Sequence, residues 1–223
     1  MQALLSAIAA TDIPLEARRI FHGRGGLHPG CEQWTLDFFP PVWVLTSFLP
    51  ADEEELARIG EALTVRWQRS NPDQALNWVF QHRREIQAET RLMAGAIPEP
   101  HVVTEDGARY LVHLMKGMNH GLFLDMSEGR RWVRQYATTL PGLKVLNLFA
   151  YSCSFSVVAL LAGAREVVNI DMRSGALATG KRNHQINGLT KGASFLPHDI
   201  FNSWGRITRG GPYDLIVLDP PSY

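Results

Sequence analysis

Three aspartates stand at or just after the ends of short apolar runs: Asp171, Asp199 and Asp219. Such runs, separated by helical stretches, are typical of buried parallel strands. The carboxyl ends of parallel strands meet at one rim of a sheet, and ligands bind there beside the point where strand order reverses. A single aspartate in this position is commonly a turn cap, but three on one rim exceed what turns require. They predict a site that accepts hydrogen bonds from hydroxyl and amino groups.

The loop after the first of these runs, Phe149 to Ser154, has small residues but no glycine. Asp171 lies 21 residues after Ala150, close to the spacing at which an acid meets a pair of ribose hydroxyls. Without glycines the loop lacks a pyrophosphate cradle, which argues against a dinucleotide. The helix that begins beyond the loop can still hold a carboxylate. A ligand with a ribose, an adenine and a carboxylate but no phosphate is S-adenosylmethionine (SAM).

A second loop carries the sequence Asp219-Pro220-Pro221-Ser222-Tyr223. Proline fixes φ and supplies a carbonyl without a donor, so this loop presents a carboxylate and a carbonyl as acceptors toward an amine or a base edge. The simpler interpretation is a Pro-Pro turn that ends a strand. An exocyclic amine suits the loop, whereas methylation of a cytosine carbon would need a thiolate. Cys153 is the candidate thiolate, but its place in the first loop favours a packing role.

The elements that position these residues follow a regular alternation after Pro141. Strands are predicted at residues 143–149, 166–171, 193–197 and 213–218, with helices over 155–162 and from Ser174 to Asn187. This alternation indicates an α/β fold with a parallel, doubly wound sheet. Upstream, the patterns predict helices at residues 1–10 and from Asp52 through Trp67, strands at 41–48 and 77–81, and a hairpin around Glu105-Asp106-Gly107. Asp125 or Ser127 is predicted to cap a further helix.

Three segments resemble the class I SAM-dependent methyltransferases that modify 23S ribosomal RNA: residues 146–152, 168–171 and 219–223. Gly121 to Asp125 is similar to the same family's lead-in segment. The resemblance implies a Rossmann-like sheet and SAM as the cofactor, with the first loop at its methionine part, Asp171 at the ribose and Asp199 at the adenine amine. The implied cofactor-binding residues are Phe123, Asn147, Phe149, Tyr151, Ser152, Asp171, Met172, Asp199 and Ile200. Those implied to face the target base are Asp219, Pro220, Pro221 and Tyr223.

The resemblance also implies a domain division. Residues 1–120 form a small α+β lobe with a possible role in RNA binding, and residues 121–223 form the SAM domain. Many relatives carry a glycine pair where this chain has Cys153-Ser154. The family's fold continues past the Asp-Pro-Pro loop, so we expect a sheet truncated after its fourth strand and a 223-residue chain that is inactive by itself.

The overall charge of the chain does not indicate RNA as the partner, but local clusters of arginine do. Lysine plus arginine (22) equals aspartate plus glutamate (22), but arginines outnumber lysines 18 to 4, and arginine is the better phosphate ligand. Three clusters stand out: Arg18-Arg19-Arg24, His82-Arg83-Arg84 and Arg130-Arg131-Arg134. Arg130 and Arg134 share a helix face, as two phosphate contacts would require. Trp132 and Tyr136 are candidates for base stacking, although such residues are usually core.

These observations predict a methyltransferase acting on an RNA base, and the resemblance implies ribosomal RNA. The alternatives are a non-catalytic SAM-domain remnant that binds RNA or a protein, and a small-molecule or protein methyltransferase. The spacing of histidines and cysteines predicts no metal site. Two cysteines fit a reducing compartment, and the apolar segments at residues 1–10 and 145–164 are better explained as a helix and a strand–turn–helix than as export or membrane signals. We therefore expect a cytoplasmic protein, with a homo-oligomer as one candidate assembly.

Overall fold

A computed structural model describes residues 1–84 and 87–221. Its contacts divide the chain into two compact units. The first comprises residues 1–103 and 112–120, and the second comprises residues 104–111 together with the chain from residue 121 onward. The sequence analysis assigned residues 104–111 to the first lobe. They belong to the second because the division passes through a hairpin, which sequence proximity alone does not reveal.

The first unit contains a five-stranded sheet in the order β1-β2-β3-β4-β5. Its strands are β1 (Arg18–His22), β2 (Trp34–Phe39), β3 (Val42–Ser47), β4 (Asn77–Arg83) and β5 (Ala88–Ala94). Only the pair β3–β4 is parallel, and the other neighbours are antiparallel. The predicted strands at 41–48 and 77–81 are confirmed. Strands β1, β2 and β5 were not predicted, since β1 and β5 are rich in charged residues and form through pairing with buried neighbours.

Two helices pack their buried residues into the core of this unit. They are α1 (Gln2–Ala10) and α2 (Glu53–Ser70), which is the crossover between the parallel strands. Asp52 caps α2 by accepting a hydrogen bond from the Glu55 N–H at 2.6 Å, and three glutamates occupy the first turn, where the helix dipole favours them. Leu4, Leu63, Trp34 and Trp43 are among the buried residues of this cluster.

The predicted hairpin is confirmed as β6 (His101–Glu105) and β7 (Ala108–Val112). Asp106 and Gly107 form its turn with φ values of 48° and 76°, the left-handed pair that a two-residue hairpin loop requires.

The second unit contains a four-stranded parallel sheet in the order β10-β9-β8-β11. Along the chain its elements are a 3-10 helix (Leu124–Met126), α3 (Ser127–Thr139), β8 (Lys144–Leu148), α4 (Ser154–Leu161), β9 (Glu166–Ile170), α5 (Ser174–Ile186), β10 (Ala193–Leu196), α6 (Trp204–Arg209) and β11 (Leu215–Leu218). The predicted α/β class and parallel, doubly wound sheet are confirmed. Strand order reverses at β8, which pairs with β9 on one side and β11 on the other.

The predicted capping role of Ser127 is wrong. Ser127 is the first residue of α3, and Met126 precedes it without a side-chain cap hydrogen bond. Helix α6 was not predicted because it is only one and a half turns long. Residues 145–164 form β8, a loop and α4, and within the described residues no helix is both long and apolar enough to cross a membrane.

Candidate active site at the carboxyl ends of the parallel strands

The loop after β8 takes an unusual main-chain path. Phe149, Tyr151 and Cys153 have φ values of 54°, 46° and 60°. L-residues pay roughly 1–2 kcal/mol for this left-handed conformation, which glycine adopts freely. The loop therefore adopts the conformation of a glycine loop without containing a glycine. Such strain is typical of segments that bring the main chain to a ligand.

Asp171 holds this loop against the end of β9. One carboxylate oxygen accepts the Tyr151 N–H at 2.9 Å, and the other accepts the Arg173 N–H at 2.8 Å. The Ala150 N–H also donates to the Ile170 carbonyl at 2.9 Å. Each carboxylate oxygen retains a second lone pair, and Asp171 is partly exposed at the rim. Met172 beside it is 70% exposed, so an apolar side chain lies next to the carboxylate.

Ser152 anchors the loop through hydrogen bonds to residues outside it. Its hydroxyl donates to the Gly121 carbonyl at 2.5 Å, and its own carbonyl accepts from Asn183 Nδ2 at 3.0 Å. The Asn183 side-chain oxygen accepts the Leu111 N–H at 2.9 Å. Since Ser152 is buried, its side chain supports the loop from the interior.

Phe123 and Tyr151 form an aromatic pair, with ring centroids 5.0 Å apart. The Phe123 carbonyl accepts from Arg130 Nη2 at 2.8 Å. Arg130 in turn binds both oxygens of Glu105 at 2.6 and 2.8 Å, and both side chains are buried. The interpretation of Arg130 as a phosphate ligand is therefore wrong, because its guanidinium is enclosed and its charge is neutralised by Glu105.

The rest of the third arginine cluster lies on the surface of α3. Arg131 pairs with Asp106 at 2.8 Å and also with Glu128, and Arg134 donates to the Asp106 carbonyl. Trp132 is not core: it is 55% exposed and stacks on Tyr136 with ring planes 7° apart.

Asn147 does not reach the rim, contrary to the role that the resemblance implied. Its side chain is buried, and its Nδ2 donates to Asn169 Oδ1 at 2.9 Å. Asn169 Nδ2 donates to Ser156 Oγ at 3.0 Å, and Ser156 is 2.9 Å from His184 Nε2. Burial lowers the pKa of His184, so this interior network contains a neutral imidazole.

The end of β10 is organised by its own side chains. Asp199 accepts hydrogen bonds from the Phe201 N–H at 2.9 Å and from Asn202 Nδ2 at 2.6 Å. Asp199 is partly exposed, with lone pairs left over for a ligand amine. Ile200 is buried and packs with Leu146 and Ile170, so its side chain belongs to the core beneath the rim.

Asp219 follows β11 directly and is partly exposed, while Pro220 and Pro221 are exposed. Because β11 pairs with β8, with Leu218 opposite Leu148, Asp219 and Phe149 emerge from neighbouring strands. Burial and the nearby charge of Asp125 raise the pKa of Asp219, whereas Arg130 opposes that rise. Tyr223 lies outside the described residues.

Cys153 sits under the loop rather than at its surface. The thiol is buried, and burial, together with the charge of Asp171, raises its pKa. Helix α5 crosses at Gly180, where an added Cβ would overlap Cys153 Sγ. The thiolate is therefore disfavoured, and the side chain serves packing. Gly180, Asn183 and the Arg130–Glu105 pair are supports that sequence reasoning missed, since none of them lies in a motif.

A parallel sheet with an acid beyond β9, a strained main-chain loop beyond β8 and an acid beyond β11 is the arrangement expected of a nucleoside-binding α/β fold. A model of the S-adenosylmethionine-dependent methyltransferase family matches residues 18–223. This chain belongs to that family, and SAM is its cofactor. The match confirms the part of the resemblance that concerns SAM-dependent methyltransferases. The remaining lone pairs of Asp171 and the exposed side chain of Met172 fit the ribose and adenine of SAM.

Individual relatives agree with this assignment. The chain is 30% identical over 192 residues to the ribosomal RNA large subunit methyltransferase I of Aeromonas salmonicida, covering 85% of this chain and 48% of that protein. It is 32% identical over 216 residues to the protein of the same name from Erwinia tasmaniensis, covering 94% and 52%. A solved structure of a protein complexed with SAH shares the fold, with a TM-score of 0.77, 22% identity and coverage of 99% of this chain and 58% of that one. The chain thus spans about half the length of the curated relatives it matches.

Proposed function

We propose that this protein methylates a base of ribosomal RNA, using SAM. The observation that carries the proposal is the placement of Asp171 and Asp219 beyond the strands on either side of β8, with the strained loop between them. One carboxylate is suited to a cofactor and the other to a substrate. Relatives named for large-subunit ribosomal RNA support RNA as the substrate.

Cofactor binding is assigned to the loop after β8 and to the ends of β9 and β10. SAM supplies an electrophilic methyl group. Asp171 accepts hydrogen bonds from the ribose hydroxyls while it keeps Tyr151 in place, Met172 covers one face of the adenine, and Asp199 accepts from the adenine amine. The first amides of α4 have no partner within the helix, which suits the carboxylate of the cofactor.

Target recognition is assigned to the loop after β11. The Asp219 carboxylate and the Pro220 carbonyl are both acceptors, so they select a base that carries an exocyclic amine, and uracil lacks one. The Phe123–Tyr151 pair offers an aromatic surface for a base that has left its stack. The role of these groups is to hold the base and the methyl donor at attack distance, which accounts for much of the rate enhancement in such displacements.

The test is methyl transfer from labelled SAM to ribosomal RNA taken from cells that lack the gene, followed by mass spectrometry of the nucleosides. It uses a protein extended to the full fold of its relatives, because the 223-residue chain is expected to be inactive by itself. We expect one modified base bearing an exocyclic amine. Asp219→Asn should reduce transfer at least tenfold with SAM affinity retained, whereas Asp73→Asn, an exposed loop control, should match the parent protein. Transfer to a protein or a small molecule but not to RNA would reject the proposal.

A further inference from the structure

Two arginines from distant parts of the chain meet on one aromatic ring in the first unit. The guanidinium carbon of Arg24 lies 4.0 Å from the centroid of the Phe48 ring, and that of Arg83 lies 5.8 Å from it. These residues come from two separate basic clusters of the sequence. A cation over an aromatic face is attracted by the ring quadrupole, and the planar guanidinium is the form that stacks best.

The contact of the two arginines with Phe48 lies at one end of the five-stranded sheet. Strands β1, β3 and β4 all finish there, and Ser47 is opposite His82 in the parallel pair. The turn that carries Arg24 begins at Gly23, whose N–H donates to the Trp34 carbonyl at 2.9 Å. An added Cβ at Gly23 would overlap the Cys31 carbonyl, so only glycine permits this close path. We call the surface the Phe48 patch; it comprises His22, Arg24, Phe48, His82, Arg83 and Arg84.

The charge of the Phe48 patch is mainly positive. Arg84 pairs with Glu89 at 3.6 Å, with both side chains largely exposed, which screens the interaction strongly. Arg83 Nε donates to Gln81 Oε1 at 2.7 Å. Within residues 1–84 and 87–221, Arg24 has no carboxylate within salt-bridge distance, and it is exposed. The N–H edges of guanidinium groups match phosphate oxygens bidentately.

We propose that the Phe48 patch binds the phosphodiester backbone of single-stranded RNA and so docks the substrate on the first unit. The inference rests on the proposed function for its ligand class. Arginines supply the phosphate contacts, and aromatic rings and guanidinium planes are groups on which unpaired bases stack. An acidic protein would match the charge but would not use the flat platform.

Fluorescence anisotropy with a short labelled oligouridylate measures this docking without any methyl transfer. Arg24→Gln and Arg83→Gln should each weaken binding about fivefold at low salt and lower the slope of log affinity against log salt by about 0.7. Phe48→Leu retains both charges and should weaken binding about two- to fourfold. Arg58→Gln on α2, an exposed arginine of the same unit, is the matched control and should change nothing. SAM affinity, measured by calorimetry, should be the same in all variants.

The outcomes separate this inference from the proposed function. Patch variants that bind and methylate RNA like the parent protein would overturn the inference and leave the proposed function standing. Patch-dependent RNA binding by a protein that transfers no methyl group to RNA would support the inference and reject the proposed function. Equal competition by polyglutamate and by RNA of the same charge would assign the patch to acidic proteins and overturn the inference.

Discussion

The main-chain N–H of Tyr151 donates to the carboxylate of Asp171 at 2.9 Å, so the strained loop after β8 and the acid after β9 form one structure. Asp171 is therefore both a candidate ligand for the ribose and a support for the loop. The two roles are separable by experiment, because one requires SAM and the other does not.

Replacing Asp171 with alanine should weaken SAM binding by about 1.5–3 kcal/mol, since charge-assisted hydrogen bonds to ribose hydroxyls are lost. The free energy of unfolding without SAM should also fall, by about 1–2 kcal/mol, because the Tyr151 and Arg173 amides lose their acceptor. Calorimetry and urea unfolding measure the two effects. Unchanged SAM affinity with reduced stability would leave Asp171 with the supporting role alone.

The buried pair Arg130–Glu105 should matter for stability far more than the exposed pair Arg131–Asp106. Arg130→Gln leaves Glu105 buried without its partner and should cost about 3–5 kcal/mol. Arg131→Gln, one residue along the same helix, should cost less than about 1 kcal/mol. Urea unfolding of both variants checks the difference, and equal losses would contradict the buried charge pairing.

Cys153 and Gly180 should behave as a coupled pair. Gly180→Ala alone should destabilise the protein by about 1–3 kcal/mol through overlap with the thiol. Adding Cys153→Gly removes the obstructing side chain and gives the left-handed position a residue that suits it, so part of the loss should return. Additive losses in this double-mutant cycle would show that the two residues do not compete for the same space.

The thiol of Cys153 should be unreactive toward iodoacetamide at pH 8 until the protein unfolds, because burial raises its pKa. Cys153→Ala should accordingly retain methyl transfer within about twofold, an estimate that follows from a packing role without nucleophilic chemistry. Loss of transfer with SAM binding intact would assign Cys153 to the reaction.

Mild acid should destabilise the protein through its buried histidines. Burial, with smaller contributions from Arg83 and Arg19, lowers the pKa of His120 to about 3 from an ordinary value of 6.5. Between these two values the unfolded chain binds a proton at His120 and the folded chain does not. The free energy of unfolding is therefore highest above pH 6.5 and decreases as the pH falls toward 3. Between pH 7.5 and pH 5 this amounts to about 2 kcal/mol. Burial lowers the pKa of His101 and of His184 as well, which acts in the same direction.

Urea unfolding at the two pH values measures this loss. His120→Asn cannot take up the proton, so its stability should depend less on pH than that of the parent protein. An equally steep dependence in the variant would remove His120 as a cause.

Sequence reasoning located the residues at the rim of the site but not the hydrogen bonds and ion pairs that hold the site together. The strands of the parallel sheet could be predicted because they are buried runs of regular spacing, and their ends place Asp171, Asp199 and Asp219. The roles of Asn147 and Arg130 were misjudged because both depend on partners distant in sequence, Asn169 and Glu105. The first unit's sheet was predicted only in part, because β1 and β5 take their conformation from pairing rather than from their own apolar patterns.

The acceptors around the interior network determine the tautomer of His184 and the orientation of the Asn169 amide. The carbonyl of Gly180 can only accept, so Nδ1 of His184 carries the proton and its Nε2 accepts the hydroxyl hydrogen of Ser156. The carbonyl of Ser194 likewise orients the amide of Asn169, which leaves its oxygen for Asn147.

Asn147 and Asn169 are opposite each other in the parallel pair β8–β9. If β9 slid by two residues along β8 so that Asn147 faced Val167 and Asn169 faced Phe149, the same sheet face would remain buried, but both amides would meet apolar neighbours. An apolar interior would tolerate that slip, whereas two facing amides penalise it. The polar core thus selects a single register of β8 and β9. This register also fixes the position of Asp171 relative to the loop after β8.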